Sequence, residues 1–435
     1  MPHPIPLFSL LFTLLSFVLQ PAHAQLDKYA KLAGLSYFGT AIDNPRLYNP
    51  EYMSHLQSPG EFGSLTPINA QKWKNIEQVQ GVFTWAEADA IANAAKAGMG
   101  GRKVMRCHTM VWFKGLPSWV ETTYSKSDME KILTAHIQNL AWHFKGRCYA
   151  WDVVNEAIDD NGVFRQSPMY KAMGLPFITH SFRIAAQSDP SARLYYNDYA
   201  LESPSLSPGP KISITLAMLR TVIAQGATIH GVGFQAHLKV GQVPSRSAIA
   251  STMQQFLEVV DEVAITELDI RHSPLRTPST REMWEKQARD YERVVGACLD
   301  VNSGYGSNGG KKKRGCVGVT VWDFTDRYSW VPAEIPTEGE ACMWDNNYVK
   351  KPAYWRVLNL LKAKAGVSVR RDMEVEVGDG GGNGTVLEGN TDGEAAASRG
   401  NVVLPGTRRE EARRAVVATT LLTATRATPT AGPRG

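Results

Sequence analysis

One pattern constrains the fold of this chain more than any other: from about residue 26 to 365, short β-rich runs alternate with amphipathic helical stretches. The runs fall at 36–40, 61–66, 103–108, 150–154, 192–196, 231–235, 262–267 and 317–322. Helical periodicity follows them, for instance over 128–144, 178–187, 211–225, 245–260, 281–299 and 353–364. Strands interleaved with helices form parallel βα units, because a parallel neighbour is reached only through a crossover. Eight such units fit one closed barrel of about 250 residues or more. The expected fold class is α/β, a (β/α)8 TIM barrel over residues 25–365.

The flanks read differently. Residues 1–24 have the form of a signal peptide: the apolar run Leu7 to Leu19 is short for a membrane span, and Ala22-His23-Ala24 supplies small residues for cleavage before Gln25. Its leading part has His3 but no Lys or Arg. Secretion to the extracellular space is expected, with no membrane partner. From Gly366 to Gly435 there is no aromatic residue and no cysteine, so this stretch has little to pack and is expected to be a disordered tail. It contains one sequon, Asn383-Gly384-Thr385. The net charge of +5 is small for 435 residues and not gathered in a stripe, which argues against a nucleic-acid partner. The basic run Lys311 to Arg314 sits in Gly/Ser-rich sequence and reads as a solvated loop. A monomer is expected.

Active sites of such barrels lie at the C-terminal ends of the strands, so the polar residues there matter most. The second run leads into Asn69, Lys72 and Trp73, the third ends in His108 with Trp112 beyond, and the fourth in Asn155 and Glu156. The fifth ends in Asn197 and Asp198, the sixth in Gln235 and His237, the seventh in Glu267 and Asp269, and the eighth in Trp322 and Asp323. Any one could be a buried structural group; seven strands ending alike is hard to explain that way. Indoles stack on pyranose faces while amides and histidines bind hydroxyls, so a mouth of this composition suits a sugar polymer. Two carboxyl groups across a glycosidic bond supply an acid and a nucleophile or base, and Glu156 and Glu267 both close strongly apolar strands. Neither His108 nor His237 has the paired spacing of a zinc site, so no metal and no cofactor are expected.

At these residues the chain resembles the family 10 glycoside hydrolases. The resemblance spans about residues 26–362 and rests on Trp151-Asp152-Val153-Val154-Asn155-Glu156-Ala157, on Ile265-Thr266-Glu267-Leu268-Asp269, and on shorter matches. These are His108-Thr109-Met110-Val111-Trp112, Tyr196-Asn197-Asp198-Tyr199, Gln235-Ala236-His237-Leu238 and Thr320-Val321-Trp322. The resemblance implies retaining hydrolysis through a covalent glycosyl-enzyme, with Glu156 as acid/base and Glu267 as nucleophile. It makes His237, with Asp269 behind it, the pair that orients the nucleophile. Asn69, Lys72, His108, Trp112, Asn155, Gln235, Trp322 and Trp330 match glycone-side sugar positions, and Tyr199 counts as a further sugar contact. Cys298 and Cys316 resemble a disulfide before the last strand; Cys107, Cys148 and Cys342 are left unassigned.

Three departures bear on substrate. Ile68 stands where the family usually has Glu, Phe113-Lys114-Gly115 replaces His-Ser-Gln after Trp112, and Cys107 replaces a Gly. The stretch Tyr328 to Trp344 also differs from the commonest form of the family. The expected activity is endo-1,4-β-xylanase on xylan. The alternatives are the same chemistry on a saponin of the tomatinase type or on a cello-oligosaccharide, and a barrel that only binds carbohydrate, although a binding module has no need of two poised carboxyls.

Overall fold

Strand pairing in the computed structural model, which describes residues 25–97, 101–122, 124–277, 279–302 and 315–367, runs in one direction until it meets its own beginning. The strands are β1 (Tyr37–Ile42), β2 (Ser64–Pro67), β3 (Val104–Trp112), β4 (Cys148–Asn155), β5 (Arg193–Asp198), β6 (Gly231–Phe234), β7 (His237–Lys239), β8 (Glu262–Arg271) and β9 (Gly315–Val321). They pair in the order β6-β5-β4-β3-β2-β1-β9-β8-β7, and a β6 to β8 pairing closes the ring. β6 and β7 are two pieces of one barrel strand, both lying parallel on β8 through Phe234↔Ile265 and His237↔Asp269. The architecture is the (β/α)8 barrel that the alternation predicts.

Boundaries differ where local chemistry intervenes. The sixth run stops at Phe234 because Ala236 adopts a left-handed φ of 61° and turns its N–H to Glu202 Oε1 at 2.8 Å. Glu61, expected to open the second strand, precedes it and accepts a hydrogen bond from the Tyr354 hydroxyl at 2.8 Å. β3 and β8 run longer than their apolar cores, to Trp112 and Arg271. Helices Lys126–His143 and Arg246–Leu257 start at Ser125 and Ser245, whose side chains accept the N–H of Asp128 and Ala248. Pro176 and Pro352 open two others, at positions where a missing N–H costs nothing.

The barrel interior is filled by large polar side chains. Tyr195 and Tyr37 fit only because Gly231 and Gly318 face them; an added Cβ would lie 2.6 and 2.5 Å from their rings. Arg106, 1% exposed, lies 4.3 Å over the Tyr195 ring and donates from Nε to Asp152 Oδ2 at 3.3 Å. An unpaired charge at this depth would cost several kcal/mol, so the pair holds itself in place. Burial pushes the Asp152 carboxyl up, but Arg106 and His108 outweigh it and hold it below the usual range. Two disulfides are present. Cys298–Cys316 ties helix Arg281–Asn302 to β9 as expected, and Cys107–Cys148 joins β3 to β4, while Cys342 is a buried free thiol. The expected signal segment, the 303–314 loop and the tail beyond 367 lie outside the described residues. None of the described helices is long and apolar enough to cross a membrane.

Candidate active site

The C-terminal rim of the barrel brings the two glutamates into one hydrogen-bonded network. Glu156 follows β4 with φ at 55°, a left-handed conformation that costs a non-glycine residue about 1–3 kcal/mol unless its surroundings impose it. Here they do: its N–H donates to Asn197 O at 2.9 Å, and its Oε1 accepts from Gln235 Nε2 at 2.9 Å and Asn155 Nδ2 at 3.2 Å. Glu267, within β8, is 5% exposed. Its Oε1 accepts from Asn197 Nδ2 at 2.7 Å, and its Oε2 pairs with His237 Nε2 at 3.1 Å. On the other side of the ring, His237 Nδ1 meets Asp269 Oδ2 at 2.9 Å, an oxygen that also accepts from Trp330 Nε1 at 2.6 Å.

The two carboxylates stand in different electrostatic settings. Burial opposes charge on His237, but Asp269 and then Glu267 outweigh it and lift the ring to about 10. Both of its nitrogens therefore donate at neutral pH, one to each carboxylate. Burial likewise pushes Glu267 up, and the His237 hydrogen bond with the His108 and His237 charges more than reverses it, leaving the carboxyl below its ordinary value. Glu267 is thus an ionised, oriented carboxylate that is itself almost fully buried. Glu156 is half-buried, and the donors to its carboxylate are neutral amides.

The other predicted residues surround this pair unevenly. His108 approaches Glu267 Oε1 at 4.0 Å and is held from behind by Asp152 Oδ2 at 3.0 Å. Trp322 meets His108 and His237 edge-on, with centroids 5.5 and 6.1 Å away. Lys72 donates to Asn69 Oδ1 at 2.9 Å and lies 4.9 Å over Trp112, while Asn69 is anchored on Asp43 Oδ2 at 2.8 Å. Burial lowers the Lys72 pKa, with Glu267 and Glu156 acting against it. Tyr199 stands apart from the carboxylate network: its hydroxyl accepts from Arg165 Nη2 at 2.7 Å, and Lys211 Nζ lies 3.5 Å over its ring.

Two strand-end acids prove structural. Asp198 pairs with Lys211 at 2.9 Å and accepts the Tyr196 hydroxyl at 2.5 Å, and burial raises it to about 6. Asp323 pairs with Arg46 at 2.8 Å and caps the N–H groups of Phe324 and Thr325. Conversely, Asn197, noted as a strand end and within a family motif but given no role, touches the nucleophile candidate directly. Its Nδ2 also bonds Asn155 Oδ1 at 2.9 Å, and its Oδ1 accepts from Thr266 at 2.7 Å. A Cβ on Gly233 would come 2.0 Å from that Oδ1, so glycine is what admits the amide. Glycine followed by a large residue one strand over was the available signal. Among the described residues, no group of three or more His, Cys, Asp or Glu side chains is arranged to hold a metal ion.

The departures cluster along β2 and β3. Ile68 is half-buried at the end of β2, its N–H on Ile42 O at 2.8 Å. Gly115 takes a left-handed φ of 62° beside Lys72 and Trp112, a conformation that would strain any other side chain. Phe113 packs edge-on against Trp112 at 5.8 Å.

Comparison with known proteins agrees with this geometry. The family model for glycosyl hydrolase family 10 matches residues 25–360. Endo-1,4-beta-xylanase 5 of Pyricularia oryzae is 44% identical over 341 residues, which cover 78% of this chain and 79% of that protein. Endo-1,4-beta-xylanase XylE of Penicillium canescens superposes with a TM-score of 0.70 at 34% identity, covering 78% of this chain and 98% of its own. Xylanase 10B of Thermotoga petrophila RKU-1, solved in complex with xylobiose, gives a TM-score of 0.70 at 29% identity with the same coverages. The chain belongs to glycosyl hydrolase family 10.

Proposed function

We propose that this chain is a retaining endo-1,4-β-xylanase in which Glu267 is the nucleophile and Glu156 the acid/base. The observation that carries the reading is the asymmetry between the carboxylates. Glu267 is buried, held below its ordinary pKa and fixed by Asn197 and His237, as an attacking carboxylate must be. Glu156 is half-buried beside neutral amides, and can carry a proton without breaking an ion pair. In the first step Glu267 attacks the anomeric carbon while Glu156 protonates the departing oxygen. In the second, Glu156 takes a proton from water, the water oxygen attacks the same carbon, and Glu267 leaves. His237, kept charged by Asp269, holds the nucleophile's free oxygen through both steps. Asn69, Lys72, His108, Trp112, Asn155, Gln235, Trp322 and Trp330 bind the glycone side in this reading, with Tyr199 on the other.

Xylan as the substrate is supported by the names of the relatives and by the xylobiose held in a structural neighbour. Digesting xylan, carboxymethyl-cellulose and a saponin panel, with products read by chromatography, tests it; xylo-oligosaccharides from xylan alone are expected. Secretion and a monomeric state complete the proposal, and two disulfides fit an oxidising compartment. The last described helix ends at Lys364, so a chain ending at Ala365 retains every described element. Its specific activity and Tm are expected to equal those of the full chain.

A further inference from the structure

Gln235 and His237 stand on either side of the break between β6 and β7, and each holds one of the two glutamates. Gln235 Nε2 donates to Glu156 Oε1 at 2.9 Å, and His237 Nε2 meets Glu267 Oε2 at 3.1 Å. Their spacing is set by the residue between them, Ala236, whose φ of 61° is a conformation that an alanine keeps where its surroundings impose it. Backbone bonds fix the turn from both neighbouring strands: the Gln235 N–H donates to Asp198 O at 3.0 Å, Gln235 O accepts from the Glu267 N–H at 3.0 Å, and Ala236 O accepts from the Asp269 N–H at 3.3 Å. The Ala236 N–H has a side chain for its acceptor, Glu202 Oε1, at 2.8 Å.

Glu202 belongs to the loop after β5 and is 0% exposed. Its other oxygen, Oε2, is buried with no partner among the described residues. Burial pushes the carboxyl up, against the pull of its own N–H, the Ala236 N–H and the His237 and Lys211 charges. A buried acid with no ion-pair partner is an expensive way to fill a loop, and an apolar side chain would fill it better. What the acid supplies is an acceptor for a buried N–H, which would otherwise be left unsatisfied at the turn that carries Gln235 and His237.

We propose that Glu202 is a positioning residue for the reaction: by accepting the Ala236 N–H it sets the turn that holds the acid/base and the nucleophile at one spacing. The inference rests on the roles given to Glu156 and Glu267. Turnover by Glu267→Ala would sink those roles, whereas this proposal is judged by ratios among Glu202 variants, taken on whichever β-1,4-glycan the parent protein cleaves. The experiment compares Glu202→Gln, Glu202→Asp and Glu202→Met with the parent by kcat, KM, the acidic limb of kcat/KM and thermal unfolding. Glutamine keeps both reach and acceptor, so kcat should stay within about threefold of the parent. Aspartate keeps the charge but is a methylene short, and methionine has no acceptor; kcat should fall about tenfold and about a hundredfold, the scale of a small misplacement of reacting groups, with KM little changed. Glu267 is faced by His237, His108, Lys72 and Asp152, and of these His237 lies on the turn. Loosening the turn draws His237 away, so the Glu267 carboxyl, held below its ordinary value in the parent, rises. The acidic limb should therefore move to higher pH in the aspartate and methionine variants and stay in place in the glutamine one. A loss of packing alone would lower Tm and leave the limb and the kcat of the folded protein where they are. A glutamine variant as impaired as the aspartate one, parental kcat in the aspartate or methionine variant, or a fall in kcat with the limb unmoved overturns the proposal. The order of glutamine over aspartate decides it even where the methionine variant does not fold.

Discussion

Around Glu156 and Glu267, side chains from β4, β5, β7 and β8 and from the β6–β7 turn hold one another in a continuous hydrogen-bonded set. Along β2 and β3, the polar wall is Asn69 and Lys72, tied to each other and to Asp43, with Ile68, Phe113 and Gly115 between and beyond them. The first region over-determines its geometry: Asn197 is fixed by Thr266, bonds Asn155 and Glu267, and is admitted by Gly233. The second is sparser, and the departures Ile68, Phe113 and Gly115 lie outside the hydrogen-bonded set around the two glutamates. Chemistry and specificity are therefore written into different densities of contact within one cleft.

That contrast predicts a graded set of effects. Glu267→Ala should abolish turnover on every substrate, a loss of many orders of magnitude, since no glycosyl-enzyme can form; rapid hydrolysis of any glycoside by this variant would break the contrast at its centre. Asp269→Asn should act through His237. Loss of a charge-assisted hydrogen bond is worth about 1.5–3 kcal/mol, so the alkaline limb of kcat/KM should move to lower pH by at least about one unit. The folded-state pKa of His237 is raised to about 10 from 6.5, so its stabilising contribution is complete below about pH 6.5 and lost as pH rises through about 10. The stability gap between parent and variant should be widest below that window and close across it, as read by unfolding at several pH values; a gap that widens with pH would contradict the assignment.

The sparse wall should respond more gently. Ile68→Glu is expected to lower KM for xylotriose and longer substrates by up to about tenfold with little change in kcat, because the interaction is made in ground and transition states alike. A KM that does not fall would show that the pocket is built around an apolar group.

How far the sequence could be read follows the same division. The eight runs and the polar strand ends were legible because parallel strands and a rim-located site leave a periodic mark; the Glu267–His237–Asp269 series was legible only through the resemblance of its motifs to family 10. The turn at Ala236 was not, since neither Ala236 nor Glu156 is a residue type that announces a positive φ. Asp198 and Asp323 looked like site residues because a strand-end acid reads alike whether it faces a sugar or a buried Lys211 or Arg46. Cys107–Cys148 depends on the register that sets Met105 opposite Cys148, which a single chain does not reveal.

The division of labour between the two glutamates is tested most directly in Glu156→Ala with an aryl xyloside whose acidic leaving group departs without protonation. Glycosylation of Glu267 should proceed, the intermediate should accumulate for want of a base, and azide should restore turnover as an anionic nucleophile. The account predicts a β-xylosyl azide, with the configuration retained. An α-azide from this variant, or no azide rescue alongside an inverted product from the parent protein, would contradict it.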